Sequence, residues 1–320
     1  MLKFSIIIPT YKRASGLRLT IESLFRLDYP KKDYEIVIVD NNSQDNTREV
    51  VMELIKKSPV RMRYLLEKKP GLMNAHHCGA RAARGKIFYF TDDDIIVTKS
   101  LLTELEKVFE TDKRIACVTG KILPVWEQDP PGWILKYFNN HMLSVNAQRN
   151  ERLLISPHDV GVFSCHEAVK RSVLFETGGF NPDYVGPKMM GDGETGLSLK
   201  IEKLGYLFAY TSEAVIYNAV PKERLTQRYI NRRFFVQGRA DSYTDLRKYS
   251  ISLPRLIIHL CYYLYRLITT LTFTLFYFPF SEKWHLACGH IYYFLARMEY
   301  DLEFLFDTEI RRFVLKKNWL

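Results

Sequence analysis

The first 122 residues alternate between two sequence patterns, and this alternation restricts the possible fold more than any other feature. Apolar runs such as FSIIIPT and YEIVIVDNNS predict buried strands, and helical spacing follows them at residues 15–27 and 45–57. The same order continues through MRYLLE, KIFYFTDDD, residues 99–110 and RIACVTGKI. Strands that alternate with helices predict an α/β fold with a mostly parallel, Rossmann-like sheet and helices on both faces.

Polar clusters follow three of the predicted strands. PTYKR comes after the first strand, DNNSQD after the second and TDDD after a later one. In sheets of this kind, ligands bind beyond the carboxyl ends of the strands. We therefore expect the three clusters to meet in one cleft.

Three consecutive aspartates, Asp92, Asp93 and Asp94, end one apolar run and are followed at once by another. Their charges repel, and each carboxylate is costly beside apolar surface unless something positive is present. Mg²⁺ and Mn²⁺ bind through one or two carboxylates while substrate phosphates complete the shell. The triplet predicts a divalent cation and a phosphorylated ligand. The alternative is a solvated acidic turn, which the position at a strand end disfavours.

The composition is that of a globular protein. A chain of 320 residues with 47% hydrophobic content holds one large or two small domains. The five cysteines are odd in number and form no C-x-x-C pair, which favours a reducing compartment. The apolar run at the N-terminus is too short for a signal-peptide core and is interpreted as the first strand. These features predict a cytoplasmic location.

Basic residues are concentrated towards the C-terminus. The formal net charge is +10, and residues 221–320 hold 16 Lys/Arg against 9 Asp/Glu. A basic excess is typical of proteins that bind nucleic acid, anionic lipid or phosphorylated ligands. Here the basic residues lie among aromatic and apolar runs rather than on a polar stripe, so we expect no nucleic-acid partner.

The most apolar part of the chain is RLIIHLCYYLYRLITTLTFTLFYFPF. Arg266 interrupts it and leaves about fifteen uncharged residues after it, fewer than the ~20 that a membrane span needs. Helices lying in the membrane interface, or a re-entrant pair with WHLACGHIYYFLARM, fit this pattern better than a single anchor. The alternative is a helical pair buried against the rest of the chain or across a dimer, and the oligomeric state stays open.

Regular patterns weaken between residues 123 and 160. The segment WEQDPPGWI contains two prolines and two tryptophans, which predicts a surface loop over the cleft. Order returns in residues 161–220, where GGFNPDYVGPKMMGDGETGLSLKIEKLGY leads from a glycine-rich turn into a helix.

These motifs together resemble glycosyltransferase family 2, whose members have the GT-A fold and use nucleotide sugars. The resemblance covers roughly residues 4–240 and rests on SIIIPTYKR, IVIVDNNSQDNT, KPGLMNAHHCGARAARGKIFYFTDDD, the GGF turn, GDGETGLSLKIEKLGY and RLTQRYINRRFFVQGRADSY. It implies a catalytic domain at residues 1–240, with a nucleotide-sugar-binding half (1–122) and an acceptor half (123–240). A helical region would follow at 241–320, and it would associate with a membrane or pack on the rest of the chain.

The resemblance also implies donor-binding residues. The nucleobase and ribose are assigned to residues at the first two strand ends, with two further donor contacts in the segment that precedes the aspartate triplet: Pro9, Thr10, Tyr11, Arg13, Asp40, Gly71 and His76. Arg13 is alternatively a surface charge. His76 and His77 stand where many family members have Arg-Asn, and they are alternatively partly buried helix residues.

The family's D-x-D element falls on Asp92 and Asp94. It implies that Asp92 lies near the ribose and that Asp94 coordinates a Mn²⁺ or Mg²⁺ cofactor which bridges the diphosphate. Asp93 is expected to face away or to be satisfied by backbone N–H groups. Where many members have a metal-binding histidine, this chain has Asn218, whose only ligand atom is a carbonyl oxygen.

An inverting transferase also needs a general base to take the proton of the acceptor hydroxyl. In the family this is a carboxylate at the start of the helix after GGF. The leucine register assigns it to Glu194, with Gly193 where an acid usually precedes it, and Asp192 is the alternative. The carboxylate that is not the base would bind acceptor or complement the helix dipole.

The sequence therefore predicts a metal-dependent inverting glycosyltransferase that uses a nucleoside-diphosphate sugar. Its acceptor is expected to be a glycan or a lipid-linked hydroxyl compound, in surface polysaccharide or glycolipid assembly at the inner face of a membrane. Two alternatives are a nucleotidyltransferase, for which no G-x-x-x-x-G-K-[ST] phosphate motif is present, and a non-catalytic subunit that binds sugar nucleotide or polysaccharide.

Overall fold

The structure is a computed structural model, and it describes residues 2–146, 153–155, 162–185, 189–249, 253–276 and 281–320. For residues 153–155 it describes the backbone only. All statements below concern these residues.

The strands of the described residues form one sheet. They are β1 (Phe4–Thr10), β2 (Tyr34–Asp40), β3 (Arg61–Leu66), β4 (Ile87–Thr91), β5 (Ile95–Val97), β6 (Ile115–Trp126), β7 (Leu153–Ile155), β8 (His166–Lys170) and β9 (Leu207–Val220). Their order across the sheet is β3-β2-β1-β4-β8-β6-β9-β5, and β7 pairs with β9.

The first half of the sheet is parallel, as the sequence predicts. Strand β1 pairs in parallel with β2 and β4, and β2 pairs in parallel with β3. The second half is mixed, because β8 runs antiparallel between β4 and β6, while β6 and β9 are parallel. The carboxyl ends of β1, β2 and β4 therefore lie side by side and open onto a common edge.

Two apolar layers cover the sheet, because successive side chains of a strand point to opposite faces. One layer joins Ile6 and Ile8 of β1 to α1 (Ala14–Phe25), α2 (Thr47–Lys57) and α4 (Leu101–Thr111). The other joins Ile7 to the remaining helices of this part, which are α3 (Leu72–Ala82), α6 (Arg171–Glu176) and α7 (Gly193–Lys203). The predicted α/β architecture is confirmed.

The segment predicted to be a loop over the cleft is partly regular. β6 continues to Trp126, and a short helix α5 (Gly132–Tyr137) and a 3₁₀ turn (His141–Leu143) follow. Apolar side chains of this segment, among them Ile134 and Phe138, pack against the helix that follows β9. Residues 147–152 and 156–161 lie outside the described residues.

Four helices complete the described part of the chain: α8 (Gln227–Tyr249), α9 (Leu253–Phe276), α10 (Glu282–Phe306) and α11 (Thr308–Leu315). α8 runs through residue 240, where the sequence predicts a domain boundary. α10 lies against α8, with Arg239 paired to Glu303 at 2.6 Å, and Tyr300 donates to the carbonyl of Met190 at 2.6 Å. α10 is thus packed on the rest of the protein, as the alternative of a buried helical pair predicts for this one helix of the pair.

α9 is different, because most of its side chains are exposed. Among the described residues, α9 is the one helix that is long and apolar enough to cross a membrane. An 18-residue segment of this helix has a mean hydropathy of 1.3, and 11% of that segment is buried. Its 24 residues extend about 36 Å, so length is no obstacle to a span. Arg266 lies near its middle, where a charge in a bilayer is costly.

Candidate active site

A cavity of about 570 Å³ lies at the carboxyl ends of β1, β2 and β4. Seven of the predicted site residues line it: Pro9, Thr10, Tyr11, Arg13, Gly71, Asp92 and Asp94. The three polar clusters therefore meet in one cleft, as their positions at strand ends predict. Asp93 also lines this cavity.

The aspartate triplet is tied to the end of β1 by side-chain contacts. Thr10 Oγ1 donates to Asp93 Oδ2 at 2.7 Å, and Arg13 Nη1 donates to Asp93 Oδ1 at 3.0 Å. The same Arg13 nitrogen donates to Asp94 Oδ2 at 2.7 Å. Asp93 is thus satisfied by side chains, where backbone N–H groups were expected. It holds Arg13 in place beside the D-x-D pair.

Asp92 is the carboxylate of the triplet that accepts no hydrogen bond from any described residue. Burial, and then the charges of Asp94, Asp93 and Glu194, raise its pKa to about 8, while the charge of Arg224 acts in the opposite direction. A divalent cation would supply further positive charge beside this carboxylate.

Two predicted donor contacts do not reach the cavity. Asp40 is buried, and its oxygens accept from the backbone of Ser43 at 2.8 Å and from Tyr64 Oη at 2.7 Å. Its neighbours Asn41 and Asn42 line the cavity instead. The carboxylate at the end of β2 therefore shapes the loop that follows it.

The prediction that His76 contacts the donor is not supported by its position. The ring is fully buried between Phe90 and Phe180, with ring centroids 4.8 and 5.3 Å away. Burial lowers its pKa to about 3, so it is a neutral core residue. His77 is also buried, and its Nε2 accepts from the backbone N–H of Phe180 at 2.9 Å. His76 and His77 are therefore buried residues of α3, which corresponds to the alternative stated for them in place of donor contact.

Gly71 begins α3 with a backbone conformation that favours glycine. Its φ is +119°, and a Cβ there would lie 3.1 Å from the carbonyl oxygen of Tyr184. Its N–H donates to Asn41 Oδ1 at 3.0 Å, so the loops after β2 and β3 are joined at the cavity wall.

The two candidate bases occupy different environments at the start of α7. Asp192 accepts from Asn181 Nδ2 at 2.7 Å and from Thr244 Oγ1 at 2.8 Å, so both of its oxygens are engaged. Gly196 allows this contact, because a Cβ there would lie 2.0 Å from Asn181 Nδ2. Asp192 therefore links α7 to α8.

Glu194 keeps a more open carboxylate. No other described side chain donates a hydrogen bond to it. Burial raises its pKa to about 7, while a hydrogen bond from its own backbone N–H and the charge of Arg233 act in the opposite direction. Its charge also raises the pKa of Asp92, so the two carboxyl groups lie within electrostatic range. A pKa near 7 suits a general base at neutral pH.

Asn218 is turned away from a ligand role. Its Nδ2 donates to the carbonyls of Leu143 and Ser144 at 3.3 and 3.2 Å, which fixes the 3₁₀ turn against β9. The described residues hold no group of three or more His, Cys, Asp or Glu side chains arranged around a metal position. A cation here would therefore rest on Asp92, Asp94 and ligand phosphates, which agrees with the oxygen ligands that Mg²⁺ and Mn²⁺ prefer.

Two basic residues of the cavity were not predicted from the sequence. Arg224 follows β9, and its Nη2 lies 3.5 Å from Asp94 Oδ2. Lys68 lines the cavity from the loop after β3. The run PKERL directly after a strand was the available signal for Arg224, because a basic residue at a strand end is placed to meet a phosphate.

Solved structures share the whole architecture. A mannosyltransferase from Pyrobaculum calidifontis in complex with GDP-Man and Mn²⁺ matches with a TM-score of 0.61 and 18% identity, over 96% of this chain and 88% of that one. Residues 1–349 of Staphylococcus aureus TarS with UDP match with a TM-score of 0.51 and 16% identity, over 94% and 92%. At these identities the likeness shows the fold, which is GT-A.

Curated relatives are glycosyltransferases. S. aureus TarS, a poly(ribitol-phosphate) β-N-acetylglucosaminyltransferase, is 30% identical over 104 residues. The GalNAc(5)-diNAcBac-PP-undecaprenol β-1,3-glucosyltransferase of Campylobacter jejuni is 30% identical over 189 residues, 58% of this chain. The chain spans 18% of the first of these relatives and 57% of the second.

The model of "Glycosyl transferase family 2" matches residues 5–174, just over half of the chain. This stretch includes the cavity residues from Pro9 to Asp94. The resemblance drawn from the sequence motifs is confirmed: the chain belongs to glycosyltransferase family 2.

Proposed function

We propose that the protein is an inverting, metal-dependent transferase that moves a sugar from a nucleoside diphosphate to a hydroxyl acceptor. The observation that carries this proposal is the cavity where Asp92 and Asp94 lie beside Arg13 and Arg224. Glu194 does not line this cavity, but its charge raises the pKa of Asp92, which supports its assignment as the general base in this proposal.

The donor would be held at the ends of the parallel strands. Tyr11 is 53% exposed beside the cavity and offers a ring for the nucleobase to contact. Gly71 allows close approach of the backbone. Arg13, Arg224 and Lys68 place three positive charges along the same cavity, which suits a diphosphate.

Asp92 and Asp94 are the residues that would hold Mn²⁺ or Mg²⁺. Two carboxylates with phosphate oxygens form a typical shell for either ion. When bound, the cation supplies positive charge beside the departing diphosphate. Asp94 is also the carboxylate that Arg13 and Arg224 contact, so cation and guanidinium groups share one ligand.

The chain's own residues account for the proton and the leaving group. Glu194 takes the proton of the acceptor hydroxyl, and the oxygen then forms a bond to the anomeric carbon. The bond from that carbon to the diphosphate breaks, and its electron pair leaves with the phosphate oxygen. Because attack comes from the face opposite to the leaving group, the configuration inverts. Arg13 and Arg224 neutralise charge on the departing group.

The acceptor class is proposed from the relatives and from the C-terminal helices. The name of the Campylobacter relative contains a polyprenyl-diphosphate-linked compound, and that of S. aureus TarS contains poly(ribitol-phosphate). The exposed apolar side chains of α9 suit the surface of a membrane. The proposal is therefore that the enzyme works at the cytoplasmic face of a membrane on a glycan or lipid-linked acceptor.

A panel of nucleotide sugars tests the proposal most directly. The full chain is incubated with each sugar nucleotide and Mn²⁺, and release of nucleoside diphosphate is measured with and without EDTA. Hydrolysis of one donor, abolished by EDTA, is the expected result. Binding of sugar nucleotides without any turnover, with or without acceptor glycans, would contradict the proposed chemistry.

A further inference from the structure

A second cavity of about 600 Å³ lies in the helical region, away from the aspartate triplet. α8, α9 and α10 each contribute to its wall. The residues that bear on its chemistry are Gln237, His259, Tyr262, Tyr263, Arg266 and Arg297. The wall is thus rich in aromatic rings and hydrogen-bond donors.

Arg297 is a buried cation with an unused donor. Its residue is 5% exposed, and Nη2 donates to Asp245 Oδ2 at 2.5 Å and to the hydroxyl of Tyr263. Its Nε is buried and has no partner among the described residues. A buried donor without a partner is costly, so this group indicates a missing acceptor.

The Nδ1 atom of His259 is a second buried nitrogen that has no hydrogen-bond partner among the described residues. Two unpaired nitrogen atoms, on α9 and α10, therefore belong to residues that line one cavity.

Arg266 adds a positive charge that no described carboxylate balances. Its Nη1 donates to Tyr262 Oη at 2.9 Å, and its guanidinium lies 5.2 Å from the ring centroid of Phe294. Rings hold the side chain in place without neutralising it.

The nearby acids have other partners. Asp245 is paired with Arg297, and Asp241 keeps its charge while it accepts from Gln237 and from Tyr293, both at 2.7 Å. Burial raises the pKa of Asp301, while the charge of Arg297 acts in the opposite direction. Arg266 is therefore a cation of this cavity that forms no ion pair with a described carboxylate.

The cavity side of α9 is opposite to its exposed apolar side. His259, Tyr262, Tyr263 and Arg266 follow helical spacing on the cavity side, while exposed apolar residues occupy the other: Ile257, Leu264, Ile268, Leu271 and Leu275. A helix is about 10 Å across, and its apolar face in a membrane interface is buried ~5–10 Å. The cavity side would then lie at the level of the lipid headgroups.

We propose that this cavity binds the phosphate headgroup of a membrane lipid whose chains lie along α9. Arg266 supplies a positive charge that forms no ion pair with a described carboxylate, while Arg297 Nε and His259 Nδ1 supply hydrogen bonds. Charged hydrogen bonds to phosphate are the strong ones, and arginine suits them by geometry. This inference goes beyond the proposed function, since it concerns the binding of a lipid and involves neither the sugar donor nor the transfer reaction.

The cavity also adjoins the acceptor half. Met142 of the 3₁₀ turn lines it, and Gln237 follows Arg233 by one turn of α8, about 6 Å. Arg233 is the residue whose charge lowers the pKa of Glu194. A lipid held here would lie on the side of the protein from which an acceptor reaches the base.

The test is a calorimetric titration of the full chain with dihexanoyl phosphatidic acid, a soluble short-chain lipid. Inorganic phosphate and dihexanoyl phosphatidylcholine are the comparison probes. We expect binding of the phosphatidic acid at least tenfold tighter than of either comparison probe. Equal affinity for inorganic phosphate would mean a free-anion site, and equal affinity for phosphatidylcholine would mean that the anionic headgroup is not recognised. Displacement by a nucleoside diphosphate with Mn²⁺ would place the binding in the first cavity. Each of these outcomes overturns the proposal.

Variants locate the site. Arg266→Gln is expected to weaken phosphatidic acid binding at least tenfold, while Arg266→Lys retains most of it. Arg255→Gln is the matched control, because it removes the same charge at an exposed position of the same helix outside the cavity, and it should weaken binding less than twofold. Equal losses in the two glutamine variants would contradict a specific site. Thermal unfolding checks each fold, and if Arg266→Gln does not fold, the wild-type titrations decide the matter alone.

Discussion

Arg13 Nη1 lies 2.7 Å from Asp94 Oδ2 and 3.0 Å from Asp93 Oδ1, so one guanidinium bridges two neighbouring carboxylates at the mouth of the donor cavity. Asp94 is the family's expected cation ligand. A divalent cation bound by Asp94 would therefore compete with Arg13 for the same oxygen. Arg13 would be released towards the donor diphosphate when the cation binds.

Removing this competition should strengthen cation binding in the absence of nucleotide. Arg13→Gln is expected to bind Mn²⁺ up to about fivefold more tightly than the wild type, because a partly exposed ion pair contributes up to ~1 kcal/mol. Electron paramagnetic resonance of free Mn²⁺ measures this affinity. Arg18→Gln, which breaks a surface pair with Glu53, is the control and should change nothing. Weaker Mn²⁺ binding by Arg13→Gln would show that the two do not compete.

Asp94→Ala is expected to abolish the effect of the cation on nucleotide binding. In the wild type, affinity for the nucleoside diphosphate should be higher in Mn²⁺ than in EDTA, and in the variant the two affinities should be equal. Calorimetry measures both, with Asp112→Ala as the control, since this partly exposed aspartate is paired to Arg114 and lies outside the cavity. A wild type that binds equally well in Mn²⁺ and EDTA would remove the metal assignment.

The two acids at the start of α7 should respond differently to amide substitution. Glu194→Gln is expected to lose ~10²–10⁴-fold in transfer while it still binds donor, the range for loss of a general base. Asp192→Asn should lose less than tenfold in transfer but about 1–3 kcal/mol in stability, because an amide has a single acceptor oxygen for the two donors, Asn181 and Thr244. Single-turnover rates and thermal unfolding separate the two effects. The reverse order of damage would assign the base to Asp192.

The sequence predicted the strands and polar clusters of the first 122 residues well, because buried parallel strands are apolar runs and their ends are marked by polar residues. It could not predict where side chains point. Asp40 and His76 stand at the expected positions, yet local partners turn them inward. Arg224 was missed because its contact with Asp94 joins residues 130 positions apart, which spacing along the chain does not report.

Asp92 should make the ligand-free protein less stable as pH rises. Its pKa is about 8 in the folded state, against ~3.9 for an ordinary aspartate in an unfolded chain. A carboxyl whose pKa is raised on folding costs stability above its unfolded pKa, and the cost grows until pH passes the folded value. Asp92→Asn removes that cost. Its unfolding temperature, measured in EDTA, should match the wild type near pH 4 and exceed it increasingly up to about pH 8.

Asp112→Asn is the control, because its effect on stability should change with pH in the opposite direction. A hydrogen bond from Arg114 lowers the pKa of Asp112, so this carboxylate contributes stability above its unfolded pKa and loses it as pH falls. The variant should therefore be the less stable protein at neutral pH and equal to the wild type in acid. A constant difference between Asp92→Asn and wild type across this range would mean that Asp92 is ionised throughout.

The exposed face of α9 gives the prediction on where the enzyme works. Ile258 and Ile268 are 65% and 55% exposed, and burying such a side chain in an apolar environment is worth about 1.5–3 kcal/mol. The double variant Ile258→Gln, Ile268→Gln should therefore partition at least 100-fold less into anionic liposomes, measured by flotation. The control is the double variant Leu19→Gln, Leu204→Gln. It alters two exposed leucines within residues 1–240, outside α9, and should float like the wild type.

Truncation after Tyr249 is a less clean test of the same membrane contact. It removes α10 and α11 together with α9, and α10 holds the Arg239–Glu303 pair and the Tyr300 contact to Met190. Loss of α10 and α11 exposes the apolar cluster around Tyr243, so the truncated protein should aggregate even without lipid. The glutamine variants keep this packing, because their side chains lie on the exposed side of α9. If they unfold at the wild-type temperature and still float fully, α9 does not contact the bilayer, and its apolar face must serve another partner.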